Sequence, residues 1–277
     1  MRMLAAALLA TAPVLAQTTP PAQPPAAAPA APAATPAAPA TAPAPPTAPA
    51  PATTPAASGW AGKWDELWKK RDQPAVMKEM HDILGQQISN DPKSFEANWR
   101  LASLYNWEAN GTEGDKKAEF GKQAWAAGDV AAAAKPNDVR GHYQAGVGVG
   151  LYSEGIGILT ALSQGIEGKF RDRMLAALKI DKDYLDGAPQ VVWGRYFFKL
   201  PWPKRDVDQS IKVLEDCLAS HPDNWRGKIY LADSLADNGK TEDARRFVQD
   251  VLDARNGSDP PEDKRLKEMA KKWMGSH

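Results

Sequence analysis

The sequence contains a single cysteine, Cys217, which excludes an intrachain disulfide bond. A lone thiol in a folded protein is either buried or reactive. Cys217 follows Leu214 by three residues and falls at a small inner position of a predicted helix. We therefore expect its thiol to be buried and unreactive.

Net charge is also lacking. The chain has 34 lysines and arginines and 34 aspartates and glutamates, so its formal net charge at neutral pH is zero. A balanced chain has no long-range attraction for nucleic acid or for an anionic membrane. No apolar run is long enough to cross a bilayer. The sequence therefore predicts neither nucleic-acid binding nor a membrane span.

No catalytic or cofactor-binding pattern stands out. None of the four histidines lies at metal-ligand spacing from another or near a pair of cysteines. The segment Gly146–Gly150 alternates glycine with valine, as some phosphate-binding loops do, but such a loop follows a β-strand and the flanks here are helical in pattern. We expect no metal, no cofactor and no enzymatic activity.

Large apolar side chains are missing from residues 17–57, which are almost entirely alanine, proline and threonine. Such a segment cannot bury a core, so we expect a disordered, extended tether. Residues 1–16 combine Arg2 with an apolar run and end in small residues, the pattern of a signal peptide. The folded domain is then predicted over residues 58–277, in an exported protein of the periplasm or the cell envelope.

The folded domain carries helical patterns that repeat. Residues 189–244 predict two helical hairpins in tandem, with Gly239 at the turn of the second. Four small or apolar residues fall where the two helices of a tetratricopeptide unit cross closely: Ala232, Ala244, Val248 and Val251. Similar breaks recur every ~40 residues, a spacing typical of stacked helix pairs. The predicted fold is all-α, a tetratricopeptide-like α-solenoid of about four to five helix pairs with a C-terminal capping helix.

Residues 139–168 have helical flanks but an unusual number of glycines: Gly141, Gly146, Gly148, Gly150, Gly155, Gly157, Gly165 and Gly168. Each glycine inside a helix costs about 0.5–1 kcal/mol of stability relative to alanine. We expect close packing between helices to offset that cost.

Aromatic residues and an arginine cluster on one predicted helix, at Trp193, Arg195, Tyr196 and Phe197. Adjacent residues point about 100° apart on a helix, so this cluster is too wide for one buried stripe. Some of these side chains must face the groove or a neighbouring chain. Aromatic residues with arginine are common anchors of protein interfaces, and the four are candidate partner-binding residues.

The loop Leu200–Asp206 supplies the remaining candidates, Trp202, Lys204 and Arg205. Two prolines fix the backbone around Trp202, so little entropy is lost when a partner grips its side chain. Lys204 and Arg205 place cationic donors beside it. The alternative is that Trp202 fills a gap between adjacent repeats, and the sequence leaves both possibilities open.

Several segments resemble the T component of the tetratricopeptide-associated TRAP transporters: Gly187–Pro189, Trp193–Tyr196, Leu200–Asp206 and His221–Asn224. The resemblance covers about residues 95–277, and eukaryotic regulator of microtubule dynamics proteins share similar repeats. It implies an α-solenoid outside the cytoplasmic membrane, with a periplasmic solute-binding protein as partner. Members of that family are often lipoproteins, but this chain lacks the corresponding cysteine after its signal.

The hypothesis from the sequence is a non-catalytic scaffold of the cell envelope, the T component that assists a TRAP-type solute transporter. The alternative is a generic exported tetratricopeptide adaptor that binds a peptide or protein in its concave groove. A small hydrophobic ligand and self-association into a homo-oligomer are further expectations.

Overall fold

The computed structural model describes residues 59–277, and within them the chain forms twelve helices and no strand. The helices are α1 (Trp60–Trp68), α2 (Pro74–Asn90), α3 (Phe95–Asn110), α4 (Gly114–Ala134), α5 (Val139–Ile156), α6 (Ile158–Ser163), α7 (Ile166–Ile180), α8 (Tyr184–Lys199), α9 (Val207–Ser220), α10 (Trp225–Asp237), α11 (Thr241–Asp253) and α12 (Pro260–Ser276). Elements that follow one another along the chain pack together. The predicted all-α, solenoid-like fold is confirmed.

The helices group into five pairs, with the short α6 between the members of the third pair and α12 after the last. The predicted signal peptide and tether, residues 1–16 and 17–57, lie outside the described residues and stay predictions. Among residues 59–277, no helix combines the length and the apolar character that crossing a membrane requires.

Helix starts follow from capping chemistry. Side-chain oxygens accept hydrogen bonds from backbone N–H groups in the first turn of five helices, α3, α5, α9, α10 and α12; the capping residues are Ser94, Asp138, Asp206, Asn224 and Asp259. Each bond satisfies a donor that has no partner inside its helix. Asp206 caps α9 in this way and fixes the end of the Leu200–Asp206 loop.

The glycines of α4 and α5 let two helix backbones touch. A Cβ atom built on Gly128 would lie 2.5 Å from the backbone nitrogen of Ala145, and one on Gly148 would lie 2.5 Å from that of Trp125. Gly121, Gly141 and Gly155 are equally crowded by backbone. On each helix these glycines recur every seven residues, which is two turns and therefore one face. The expected close packing is confirmed.

The C-terminal hairpins pack through side chains instead. Ala232, Ala244, Val248 and Val251 are fully buried in one core with residues of α9 and α12. Gly194 lies against Leu214, where a Cβ atom would come within 2.7 Å of Cγ. The Ser210 hydroxyl of α9 is hydrogen-bonded to the Ser234 hydroxyl at 2.9 Å, toward the next pair.

Cys217 is buried, as predicted, with no exposed surface. Its thiol donates a hydrogen bond to the carbonyl oxygen of Gly187, with Sγ and O 3.6 Å apart. Burial raises the pKa of the thiol to about 11. The reactive thiolate is therefore scarce at neutral pH.

The beginning of α8 contains a sharp break. Leu185, Asp186 and Gly187 all have left-handed backbone conformations, with φ of 48°, 55° and 82°. Such conformations are strained for leucine and aspartate and persist only where neighbours hold them. Here the Asn224 side chain donates a hydrogen bond of 2.7 Å to the Asp186 carbonyl oxygen. The break turns the chain between α7 and the regular part of α8.

Candidate functional site: the central cavity

The first and last helices of the solenoid are joined by an ion pair. Arg71, just after α1, donates two hydrogen bonds to the carboxylate of Asp259, the capping residue of α12, at 2.7 and 2.8 Å. The two residues are 188 positions apart in the chain. The Arg71 guanidinium lies 4.2 Å from the ring centroids of both Trp68 and Trp107. The two ends of the solenoid therefore meet, and the inner face lines a cavity that is open to solvent on one side.

This central cavity has a volume of about 890 Å³. Its walls come mainly from α3, α5, α8, α10 and α12, with parts of α6 and α7. Small-molecule sites in proteins occupy roughly 300–1,000 Å³. The volume therefore suits one organic molecule of small to moderate size.

One part of the cavity wall is apolar. It is formed by Val147 and Leu151 of α5, Val191 and Val192 of α8, and Phe170 of α7. The Phe170 ring stacks on Tyr196, with ring centroids 5.0 Å apart. Such a surface favours the apolar part of a ligand, because burying it releases ordered water.

Another part of the wall is polar and incompletely hydrogen-bonded. Asn106 donates hydrogen bonds to the Gln144 backbone oxygen at 3.0 Å and to its side-chain oxygen at 2.8 Å. The Oδ1 atom of Asn106 and the Nε atom of Arg71 are buried without a hydrogen-bond partner among the described residues. A buried polar atom in that state costs about 1–3 kcal/mol. Both residues line the cavity, but these two atoms are themselves covered by protein.

Three arginines gather at the meeting point of the two ends: Arg71, Arg226 and Arg265. Arg226 forms an ion pair with Glu262 and donates a 3.1 Å hydrogen bond to the Tyr230 hydroxyl. The Arg265 guanidinium lies over the Trp107 ring, with its Cζ atom 3.2 Å from the ring centroid. Burial, together with the charges of Arg226 and Arg71, lowers the pKa of Arg265 to about 10.

Of the predicted candidate residues, Arg195 and Tyr196 line the cavity. Arg195 forms an ion pair of 2.6 Å with Asp233 and lies over the Tyr230 ring. The structure places Trp193 and Phe197 beside Tyr196 in one aromatic cluster, with ring centroids 4.9 and 5.3 Å from it. The cluster is only partly buried, as its width suggested, and it links α7 to α8.

The predicted loop residues lie elsewhere. Trp202 is 89% exposed, so the alternative in which it fills a gap between repeats is wrong. Lys204 forms an ion pair with Glu167, and Arg205 donates a 2.9 Å hydrogen bond to Asp237. These two cations are therefore bound to carboxylates of the same chain, while Trp202 faces solvent. The partner-binding roles of the seven candidates stay predictions.

Glu167 joins the loop to the aromatic cluster. It accepts a hydrogen bond of 2.6 Å from the Tyr196 hydroxyl in addition to its ion pair with Lys204. Partial burial would raise the pKa of the Glu167 carboxyl, but the bonds from Lys204 and Tyr196 outweigh it and lower that pKa. Glu167 is therefore ionised at neutral pH, and it fixes the position of Tyr196 in the cavity wall.

Sequence reasoning missed the residues that close the cavity, namely Arg71, Asp259 and Arg265. The sequence signal nearest to them was the capping residue Asp259 before two prolines, which marks a helix start. Nothing local indicates that Asp259 pairs with Arg71. Within residues 59–277, no group of three or more histidine, cysteine, aspartate or glutamate side chains is arranged to hold a metal ion.

Comparison with known proteins identifies the family. The family model described as regulator of microtubule dynamics protein 1-3 matches residues 61–275, which is most of the chain. No individual curated protein matches the sequence. The expected kinship with the T component of TRAP transporters is therefore wrong, and so are the two functions based on it, the transporter scaffold and the exported adaptor. The chain belongs to the regulator of microtubule dynamics protein 1-3 family.

Proposed function

We propose that this chain is a non-catalytic binding protein whose central cavity holds one small amphipathic organic molecule. The observation that carries the proposal is the cavity of about 890 Å³ where the ends of the solenoid meet. Its volume lies within the usual range for ligand sites. Its wall combines an apolar surface at Val147, Val191 and Phe170 with charged side chains such as Arg195 and Arg265.

The wall supports a ligand with two chemically different parts. Its polar and charged side chains, such as Arg195 and Arg265, can form hydrogen bonds with a ligand, while the apolar wall cannot. A wholly apolar molecule would displace water from those side chains without replacing its hydrogen bonds. A wholly polar molecule would lose its hydration against the valine and phenylalanine side chains without compensation.

The description of the family concerns microtubule dynamics. Co-sedimentation with assembled microtubules tests whether this chain shares that role. Export is a separate proposal that rests on residues 1–16 alone, and N-terminal sequencing of the protein from its own cells tests it. Self-association likewise stays a proposal, for which sedimentation velocity is the direct measurement.

The cavity proposal is tested by filling the cavity. Organic extraction of the purified full chain followed by mass spectrometry should recover a bound molecule, and native mass spectrometry should give one per chain. Val147→Trp places an indole in the cavity and should abolish that occupancy. Gln249→Trp adds the same side chain at an exposed position of α11 and serves as the control. Unchanged occupancy in folded Val147→Trp would contradict the proposal.

A further inference from the structure

We infer that Arg265 binds an oxyanion, a carboxylate or a phosphate group, carried by the molecule in the central cavity. The inference rests on the proposed function, because it assigns a part of the same ligand to a particular side chain. The oxyanion lies at the junction of the first and last helices, and the apolar remainder of the ligand extends along the wall of α5 and α8.

The first argument is that the carboxylates near Arg265 already have partners. Asp259 accepts both of its ion-pair hydrogen bonds from Arg71, and Glu262 pairs with Arg226. A third carboxylate, Asp263, accepts a 2.6 Å hydrogen bond from the backbone N–H of Gly257. Arg265 itself has no ion pair and no hydrogen bond to any residue between 59 and 277.

The second argument concerns the environment of that cation. Arg265 is half-buried, lines the cavity and stands beside two further guanidinium groups. An arginine stays charged at neutral pH, so loss of a proton cannot remove the cost of partly burying this charge. Glu262 and Asp259 offset part of this charge at a distance, but neither forms an ion pair with Arg265, and an oxyanion from a ligand would supply one.

The third argument is geometric. Arg265 and Arg71 both lie over the Trp107 ring, so this one indole brings the two guanidinium groups together. Arg71 is 2% exposed and its terminal nitrogens already donate to Asp259 and to the Trp68 carbonyl oxygen, so Arg265 is the one of the two that is open to a ligand. A guanidinium stacked on a ring keeps its in-plane N–H donors available, and such donors match the oxygens of a carboxylate or a phosphate.

The inference is tested with three probes that share a ten-carbon chain: decanoate, decyl phosphate and decanol. Isothermal titration of the full chain should show both anions binding at least about tenfold tighter than decanol, as a charge-assisted hydrogen bond implies. Arg265→Gln should remove this preference and leave the affinity for decanol unchanged. Arg246→Gln, on the exposed face of α11, makes the same charge change and should alter nothing.

Folding is checked separately. Arg265→Lys keeps the charge but loses the planar donors, so it should retain part of the preference for the anions. Thermal melting of all three variants establishes that they are folded before titration. The tighter of the two anionic probes identifies whether the natural group is a carboxylate or a phosphate.

The outcomes separate this inference from the proposed function. Equal affinity of the wild-type chain for decanol and the anions, or an unchanged preference in Arg265→Gln, overturns the oxyanion site while leaving a cavity that binds ligands. Failure of all three probes to bind overturns both. Loss of the preference in Arg265→Gln alone, with decanol still bound, supports both.

Discussion

Two contacts between neighbouring helices of this solenoid are made in different ways. Between α4 and α5 the contact is backbone against backbone, because glycines remove the side chains that would separate the helices. Between α10 and α11 the contact is made by buried side chains, among them Ala232, Ala244 and Val248. The first contact tolerates no added atom, since a helix backbone moves only as a unit. The second contact can adjust, because side chains change rotamer.

The same difference, side-chain against backbone contact, is seen between two buried helical glycines. Gly194 of α8 is buried, like Gly148 of α5, but the nearest atoms around it belong to the Leu214 side chain. Around Gly148 the nearest atoms belong to the backbone of α4. Burial alone therefore does not determine what a glycine contributes, and the identity of the neighbouring atoms does.

The largest expected effect comes from enlarging a glycine between α4 and α5. Gly128→Leu should lower the free energy of unfolding by about 3 kcal/mol or more, at the upper end of overpacking effects, because its Cβ alone would meet the Ala145 backbone. Urea denaturation followed by circular dichroism measures it. Gly168→Leu, at a helical glycine with no atoms within 4 Å of its Cβ position, is the control and should not destabilise.

The corresponding change between α10 and α11, where side chains make the contact, should lower the free energy of unfolding less. Ala232→Leu overpacks a fully buried position of α10 and should cost about 1–3 kcal/mol, since neighbouring side chains can partly rearrange. The same denaturation experiment gives the value. An unchanged midpoint would mean that Ala232 does not occupy the crossing point of its helix pair. A loss equal to that of Gly128→Leu would remove the distinction between the two contacts.

At an exposed helical glycine we expect the opposite effect, a gain in stability on substitution. Gly85 lies within α2, and nothing approaches within 4 Å of where its Cβ atom would be. Gly85→Ala should therefore raise the free energy of unfolding by about 0.5–1 kcal/mol, through the lower conformational entropy of the unfolded chain. Gly128→Ala is the matched variant and should destabilise. A rise in stability in both would show that the α4–α5 contact is looser than described.

The sequence predicted those features that depend on residues close in the chain. Turn residues, caps and the three- and four-residue periodicity gave the all-α fold, the helix starts and the buried state of Cys217. The glycine-rich segment correctly indicated close packing, because the cost of glycine in a helix requires compensation. In each case the physical cause lies within one or two helical turns, or in the pairing of adjacent helices.

The cavity could not be predicted in this way. Its closure depends on Arg71 and Asp259, which lie in the first and last parts of the described chain. Small angular differences between successive repeats decide whether the ends of a solenoid meet, and no local pattern encodes their sum. The sequence did direct attention to Arg195 and Tyr196, but as groove residues for a protein partner. Their position in a cavity wall required the structure.

The smallest expected effect is at Trp202, which belongs to neither kind of contact. Its side chain is 89% exposed, so Trp202→Ala removes little buried surface and should change the free energy of unfolding by no more than ~0.5 kcal/mol, as surface substitutions usually do. Trp64 is the matched control, because it is 2% exposed and stacks on Trp68 with ring centroids 4.9 Å apart. Trp64→Ala should cost about 3–5 kcal/mol.

Fluorescence quenching independently measures the exposure of the Trp202 side chain. Acrylamide or iodide should quench the fluorescence of Trp202 in the wild-type chain, and Trp202→Ala should lose that accessible component. If Trp202→Ala instead destabilised the chain as much as Trp64→Ala, the indole would have to be packed against another part of the protein or a second copy. Sedimentation velocity of both variants separates these two cases, since only the second changes the mass of the wild-type species.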